Sequence, residues 1–223
     1  SGLPSKFSQL LQQVSGESLL LATLITAIFS LVLGMGVPPT ATYVLTSSLT
    51  APAIIALAKL NGIPDSAALL ATHMFLFYYA VLADVTPPVA LSAYAASSVF
   101  GTNPLITGIY AARVALSKYL VGFFFLLSYS GTALLIVPVL QNSPPHEAWP
   151  MILERFLSVA LGIVYLSASA AGYTRRPLAR WEAWVLGILA VLLFVPHGPL
   201  NLVAFLLGLP FFRKGLTGAQ REA

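Results

Sequence analysis

Two proline-rich interruptions of apolar segments carry the residues best suited to chemistry. The first reads GMGVPPT at residues 34–40 and ends in Thr40, and the second reads DVTPP at residues 84–88 and contains Asp84 and Thr86. Adjacent prolines cannot continue an α-helix, because proline lacks an amide donor and clashes with the preceding turn. The carbonyl oxygens that an unwound backbone leaves free, with the hydroxyls of Thr40 and Thr86 beside them, are suited to a dehydrated sodium ion.

Asp84 is the only acid that lies within an apolar run and also neighbours an interruption. An ionisable side chain inside a membrane is costly enough to indicate a function by default. The carboxylate could capture a coupling cation or a proton. Equally, Asp84 could cap the half-helix that follows the interruption, or pair with a cation contributed elsewhere.

The histidines do not have the spacing of a metal site. His73 lies on the same apolar stretch as Asp84, where a hydrogen-bonded packing role is favoured, and His146 and His197 lie in distant loops. The chain has no cysteine and contains neither G-x-S-x-G nor H-E-x-x-H. Because nothing locates a nucleophile or a catalytic metal, we expect no enzyme activity.

Composition predicts the kind of fold that positions these residues. The chain is 58% hydrophobic and 8% charged over 223 residues, whereas soluble domains carry roughly 25% charge. Several windows approach or exceed the roughly 20 apolar residues that cross a bilayer. The sequence therefore predicts an all-α polytopic membrane protein.

The loops and prolines that separate the apolar segments predict two parts, residues 1–140 and 141–223. Residues 18–60 are expected to form a re-entrant helical hairpin with its tip at 34–40, and residues 66–100 a discontinuous helix. Residues 105–118 are expected at the interface, followed by a plain span over 119–140. The second part is an extension with about three membrane helices, at 151–171, 181–195 and 200–212. The threonines and serines between residues 42 and 50 are expected to bond back to the preceding helical turn.

Basic residues cluster beside apolar spans, including Arg213, Lys214 and Arg221 near the end of the chain. The loop at 172–180 contains three arginines, whereas the loop at 141–150 contains no lysine or arginine. The positive-inside rule places the arginine loop in the cytoplasm and the loop at 141–150 outside. It explains the formal charge of +4 without a nucleic-acid partner, because no basic stripe with interleaved aromatics is present.

The same rule places Arg113 and Lys118 on the cytoplasmic side, and it makes the predicted hairpin open from the outer side. Arg113 could attract an anionic substrate, but its interfacial position favours a lipid headgroup. The first residues lack the features of a signal peptide and there is no initiator methionine. We therefore expect them to continue from something upstream.

Two extended motifs, GMGVPPTATYVL and HMFLFYYAVLADVTPPVALSAYAAS, give the block over residues 19–135 a resemblance to a known family. This block resembles the large membrane subunit of TRAP transporters, particularly the fused permeases. The resemblance implies a sodium-driven importer in the bacterial inner membrane. It further implies Na+ as the coupling ion without an organic cofactor, and a periplasmic solute-binding protein that delivers a carboxylate-bearing solute.

In that family the transport domain contains two inverted repeats, each a re-entrant hairpin plus a broken helix, and residues 1–140 resemble the second repeat, with its hairpin at 18–60 and its broken helix at 66–100. The resemblance implies a sodium site at Gly34, Gly36, Thr40, Thr86 and Pro87. Residues for the substrate or for coupling would then be Val37, Pro38, Pro39, Asp84 and Pro88.

The first repeat, with its Gly-Ser-Ser tip and Pro-Pro-Ser break, has no counterpart in the sequence. Either another chain supplies this permease half, or these residues are the carboxyl-terminal part of a larger permease. Two alternatives stay open. One is a proton-coupled secondary transporter that uses Asp84, and the other is a non-transport membrane assembly subunit in which the interruptions only pack.

Overall fold

The computed structural model describes residues 2–213, and helices make up most of this part of the chain. Lys214 and Arg221 of the basic tail lie outside the described residues. Three of the described helices are long and apolar enough to cross a membrane, or up to four if one bent pair counts as a single span. The predicted all-α polytopic membrane fold is confirmed. The chain divides into two compact units, Ser1–Ala148 and Trp149–Ala223.

The first unit is built around the hairpin and the broken helix. Its helices are α1 (Leu3–Ser15), α2 (Leu19–Leu33), α3 (Pro39–Leu60), α4 (Asp65–Leu82), α5 (Leu91–Phe100), α6 (Pro104–Val114), α7 (Leu116–Leu126) and α8 (Val137–Asn142). Helices α2 and α3 form the hairpin, and α4 packs on both α3 and α7. Phe75 on α4 anchors this core, because it is fully buried and its ring centroid lies 5.6 Å from that of Phe123 on α7.

Local chemistry explains where the hairpin turns. Helix α2 begins at a Ser18 cap, whose hydroxyl accepts a hydrogen bond from the Leu21 amide at 3.2 Å. Gly36 has a φ of +79°, a left-handed conformation that glycine adopts without steric cost. Helix α3 then starts at Pro39, two residues earlier than predicted. Proline is tolerated there because an amide in the first turn has no intrahelical partner.

The buried hydroxyl groups of α3 behave as the sequence predicts. Thr42, Thr46 and Thr50 are fully buried, and each donates to the carbonyl oxygen four residues earlier, at 3.2, 2.8 and 2.8 Å. Ser47 and Ser48 donate to carbonyl oxygens three residues earlier, at 3.2 and 2.8 Å. Their expected bonding to the preceding turn is confirmed, and it removes these five residues from the candidate site.

The prediction of one plain span over residues 119–140 is wrong. Helix α7 ends at Leu126, and a 3-10 segment over Tyr129–Leu135 precedes the short α8. The break begins at Ser128, whose backbone is extended and whose hydroxyl accepts from the Gly131 amide at 3.1 Å. Gly131 also packs so closely on the Phe124 carbonyl that no side chain would fit there. The prediction overlooked that a serine-glycine turn can end a helix in an apolar segment.

The second unit contains α9 (Pro145–Ala171), whose first turn precedes the unit boundary, α10 (Arg180–Phe194) and α11 (Gly198–Arg213). Helix α9 has 27 residues, whereas α10 and α11 have 15 and 16. At a rise of 1.5 Å per residue α10 extends about 22 Å, and α11 runs to Arg213, the last described residue. The arginine loop before α10 is closed by an ion pair of 2.6 Å between Arg176 and Glu182.

Candidate transport site

The hairpin tip and the interruption of α4 meet at Gly34 and Ala83. A β carbon on Gly34 would collide with that of Ala83, and it would lie 3.1 Å from both the Ser30 carbonyl oxygen and the Thr42 methyl carbon. Gly34 itself is buried. Only glycine allows this approach of the two backbones. Two segments that lie about fifty residues apart in the sequence thus meet at one place.

The backbone is irregular between α4 and α5. Helix α4 continues as a 3-10 turn over Ala83–Val85, and Thr86 is extended, with a φ of −98° and a ψ of 121°. The peptide bond between Pro87 and Pro88 is cis, and Ala90 has a φ of +39°. A residue with a β carbon rarely adopts that left-handed conformation, and such backbone strain is concentrated at functional sites.

Thr86 is held by two hydrogen bonds. Its hydroxyl oxygen lies 2.5 Å from the Leu82 carbonyl oxygen and 2.5 Å from the Tyr119 hydroxyl. The Tyr79 hydroxyl donates to the Tyr119 carbonyl at 2.7 Å. A threonine hydroxyl has one proton and two lone pairs, so donation to Leu82 and acceptance from Tyr119 leave one lone pair for a cation.

Asp84 bridges the interruption. Its carboxylate accepts a hydrogen bond of 2.7 Å from the Ser92 hydroxyl, and Ser92 lies in the first turn of α5. A carboxylate is favourable at this end of a helix, where the helix dipole is positive. The carboxylate thus lies beside the first turn of α5, but it accepts from a side chain and not from a backbone amide, so Asp84 does not cap this half-helix in the structure.

The remaining predicted residues differ in exposure. Gly36, Pro38, Thr40 and Pro88 are exposed, whereas Val37, Pro39 and Pro87 are half-buried. The Gly34 carbonyl accepts from the Val37 amide at 3.4 Å, and the Thr86 carbonyl accepts from the Ala90 amide at 3.2 Å. A carbonyl oxygen has a second lone pair, so both can still bind a cation.

The oxygens available to a cation here are backbone carbonyls, the Thr86 hydroxyl and the Asp84 carboxylate, which already accepts a hydrogen bond from Ser92. Within residues 2–213 no group of three or more His, Cys, Asp or Glu side chains could hold a metal ion. Carbonyl and hydroxyl oxygens at unwound membrane backbone are the ligands that transporters offer to sodium. The carbonyl and hydroxyl oxygens present are therefore of the type that a hard cation such as Na+ prefers.

His73 lies on α4 and contacts the hairpin through Tyr43. Its Nδ1 atom lies 2.8 Å from the Tyr43 hydroxyl, and the two rings are arranged edge to face. The bond connects α3 to α4. This geometry supports the interpretation of His73 as a hydrogen-bonded packing residue.

A buried arginine in α9 was missed by the sequence analysis. Arg155 is only 4% exposed, and it donates to the Val195 carbonyl at 3.2 Å and to the Glu154 carboxylate at 2.9 Å. The signal was present as a charged pair inside the apolar stretch 151–171. An ionisable residue at such a position always requires an explanation.

The carbonyl groups at the end of α10 explain this arginine. Ser158 donates to the Leu193 carbonyl. With the Asn201 amide oriented to match its surroundings, its nitrogen donates to the Leu192 and Val195 carbonyls at 3.0 Å and its oxygen accepts from Arg155 at 3.1 Å. The last carbonyls of a helix have no intrahelical donor. Arg155, Ser158 and Asn201 together satisfy them.

A helical hairpin whose tip meets a broken helix at unwound backbone is typical of secondary transporters. Residues 1–140, more than half of the 223-residue chain, match the family described as "Tripartite ATP-independent periplasmic transporter, DctM component". The chain belongs to this family, and the resemblance to the large TRAP membrane subunit is confirmed. It is a multi-pass membrane component of a TRAP-type transporter. No curated protein and no solved structure matches the chain.

Proposed function

We propose that this chain is part of a sodium-coupled TRAP-type symporter in a bacterial inner membrane. It imports a small carboxylate-bearing solute that a periplasmic binding protein delivers. The observation that carries the proposal is the close approach of Gly34 to Ala83, because it joins two unwound segments at one place. Packing alone does not require both segments to be unwound where they touch.

The helix ends that flank the two interruptions differ in partial charge, and therefore in the ligand that they favour. Helices α2 and α4 end there, and α3 and α5 begin there. The carboxyl ends carry free carbonyl oxygens and negative partial charge, which suit Na+, whereas the amino ends carry free amides and suit a carboxylate. The sodium ligands would be the carbonyl oxygens of Gly34, Gly36, Thr86 and Pro87, with the hydroxyl of Thr86. The Thr40 hydroxyl, which lies in the first turn of α3, would add one more oxygen from the hairpin.

The substrate would lie at the amino ends of the half-helices. Val37, Pro38 and Pro39 lead into α3, and Pro88 precedes α5. Asp84 contacts the first turn of α5 through Ser92, so a carboxylate bound there would lie near this charge. Sodium bound at the adjacent carbonyls would offset the repulsion, which gives a physical reason for coupling the two ligands.

A complete transporter requires partners. The permease half that contains the other repeat, a small membrane subunit and the periplasmic binding protein would each contribute, within the lipid bilayer. The family description itself specifies a tripartite transporter.

The thermal stability of the purified transporter complex in sodium chloride and in potassium chloride, at equal ionic strength, tests the sodium site. A ligand at about 100 times its Kd stabilises the folded state by about 2.7 kcal/mol. Gly36→Ala should remove the additional thermal stability that sodium gives over potassium, which we call the sodium-specific increment. Gly62→Ala is the matched control, because both glycines have a positive φ, +79° and +80°, with open space around them. Equal stability in both salts, or loss of the increment in both variants, would contradict the proposal.

A further inference from the structure

A cavity of about 230 Å³ lies between α4 and α7 in the first unit, beside the interruption of α4. Its lining is almost entirely aromatic and aliphatic. The residues are Phe77, Tyr78, Val81, Leu82, Val85 and Lys118. Lys118 supplies the only formal charge among them.

Lys118 has no counterion in the part of the chain that the structure describes. The ion pairs found within residues 2–213 involve other side chains, and Lys118 is exposed. Arg113, which is also exposed, lies on the other side of the 42° bend between α6 and α7. An ammonium group beside apolar membrane helices is costly unless it meets water or an anion. The cavity therefore combines apolar walls with a cation that lacks a partner.

We propose that this cavity binds an anionic phospholipid, with its phosphate on Lys118 and the beginning of one acyl chain between Phe77 and Val81. The volume is below the roughly 300–1,000 Å³ of ordinary small-molecule sites, so it suits a chain segment better than a whole solute. The exposed ammonium group of Lys118 beside apolar walls is complementary in charge to an anionic headgroup, and anionic lipids are attracted to basic residues near a membrane surface.

The position of the cavity gives the lipid a structural consequence. Val81, Leu82 and Val85 occupy the last turns before Thr86. An acyl chain packed on these residues restricts movement of the segment that leads into the interruption. The lipid is thus a structural ligand of the broken helix, separate from the solute and the coupling ion.

The binding of phosphatidylglycerol to the delipidated full chain tests this site, with phosphatidylcholine of the same acyl chains as the reference lipid. Native mass spectrometry measures the two occupancies. We expect Lys118→Met to reduce the preference for phosphatidylglycerol about fivefold, the effect of one basic residue near an anionic membrane surface. Lys59→Met serves as the control, because Lys59 is an exposed lysine paired with Asp65 at 2.8 Å.

A second variant separates the acyl chain from the charge. Val81→Phe fills the cavity while leaving Lys118 in place, and it should also reduce phosphatidylglycerol binding. Unchanged binding in Val81→Phe, or an equal preference for both lipids in the wild type, would overturn the proposal. Displacement of phosphatidylglycerol by inorganic phosphate at equal concentration would overturn it too, because the site would then recognise a free anion. None of these readouts depends on sodium or on solute transport.

Discussion

The hydroxyl groups of Thr86 and Tyr119 lie 2.5 Å apart, which ties the interruption of α4 to a helix that follows it by thirty residues. A second hydrogen bond reaches the same tyrosine, because the Tyr79 hydroxyl donates to the Tyr119 backbone carbonyl at 2.7 Å. These bonds help to hold the unwound segment between α4 and α5 in one conformation. The position of Thr86 is therefore set by α7 as much as by α4.

Two variants separate this structural role from ion binding. Tyr119→Phe removes one hydrogen bond and should lower the free energy of unfolding by about 0.5–1.5 kcal/mol, equally in sodium and in potassium chloride. Thr86→Val should additionally abolish the sodium-specific increment. Thermal unfolding in the two salts measures both effects. The opposite pattern, in which the tyrosine variant alone loses the increment, would exclude the Thr86 hydroxyl as a ligand.

The contact of Gly34 with Ala83 predicts a paired effect. Gly34→Ala should destabilise the first unit by about 1–3 kcal/mol, since an added methyl group in a packed contact forces the backbones apart. Ala83→Gly in the same chain removes the opposing β carbon and should recover part of the loss. Melting temperatures of the single and double variants give the coupling energy. If the two effects are additive, the contact does not determine how the tip sits on the break.

Asp84→Asn tests the proton-coupled alternative. An asparagine oxygen can still accept the 2.7 Å hydrogen bond from Ser92, so the fold should persist while the charge is lost. We expect sodium to stabilise this variant as it does the wild type, because the proposed ligands are neutral oxygens. Ser92→Ala, which keeps the charge and removes the bond, is the companion variant. Sodium-independent stability in the wild type, together with a pH response that only Asp84→Asn loses, would favour proton coupling.

Arg155→Met should destabilise the second unit by about 1–3 kcal/mol, because the Val195 carbonyl loses a buried donor. Intrinsic fluorescence reports on this unit selectively. The tryptophans of the chain all belong to it: Trp149, Trp181 and Trp184. Arg175→Met, at an exposed loop arginine, should leave the transition unchanged. A melting curve identical to the wild type in the Arg155 variant would mean that Ser158 and Asn201 suffice.

The sequence predicted the two interruptions well because local covalent chemistry decides them. Adjacent prolines and a glycine with a positive φ override the apolar pattern around Gly36 and Pro87, whatever the rest of the fold does. The back-bonding of Thr42 and its neighbours is local in the same sense. These features needed no knowledge of which helices pack together.

Contacts between distant residues could not be predicted in this way. Neither the approach of Gly34 to Ala83 nor the bond between Thr86 and Tyr119 has a local signature, because each depends on how α2, α4 and α7 pack. Arg155 differs, since its charge within an apolar stretch was visible. What the sequence lacked was the identity of its partner, a carbonyl forty residues further along the chain.

The short helix α10 has a consequence for the surrounding lipid. A hydrocarbon core is about 30 Å thick, whereas α10, which the sequence predicts to be a membrane helix, has 15 residues and reaches about 22 Å. A membrane helix with such negative hydrophobic mismatch is accommodated when the bilayer thins locally or when flanking side chains extend to the interface. Lipids with shorter acyl chains should thus gather around α10, and a thicker bilayer should disfavour its insertion.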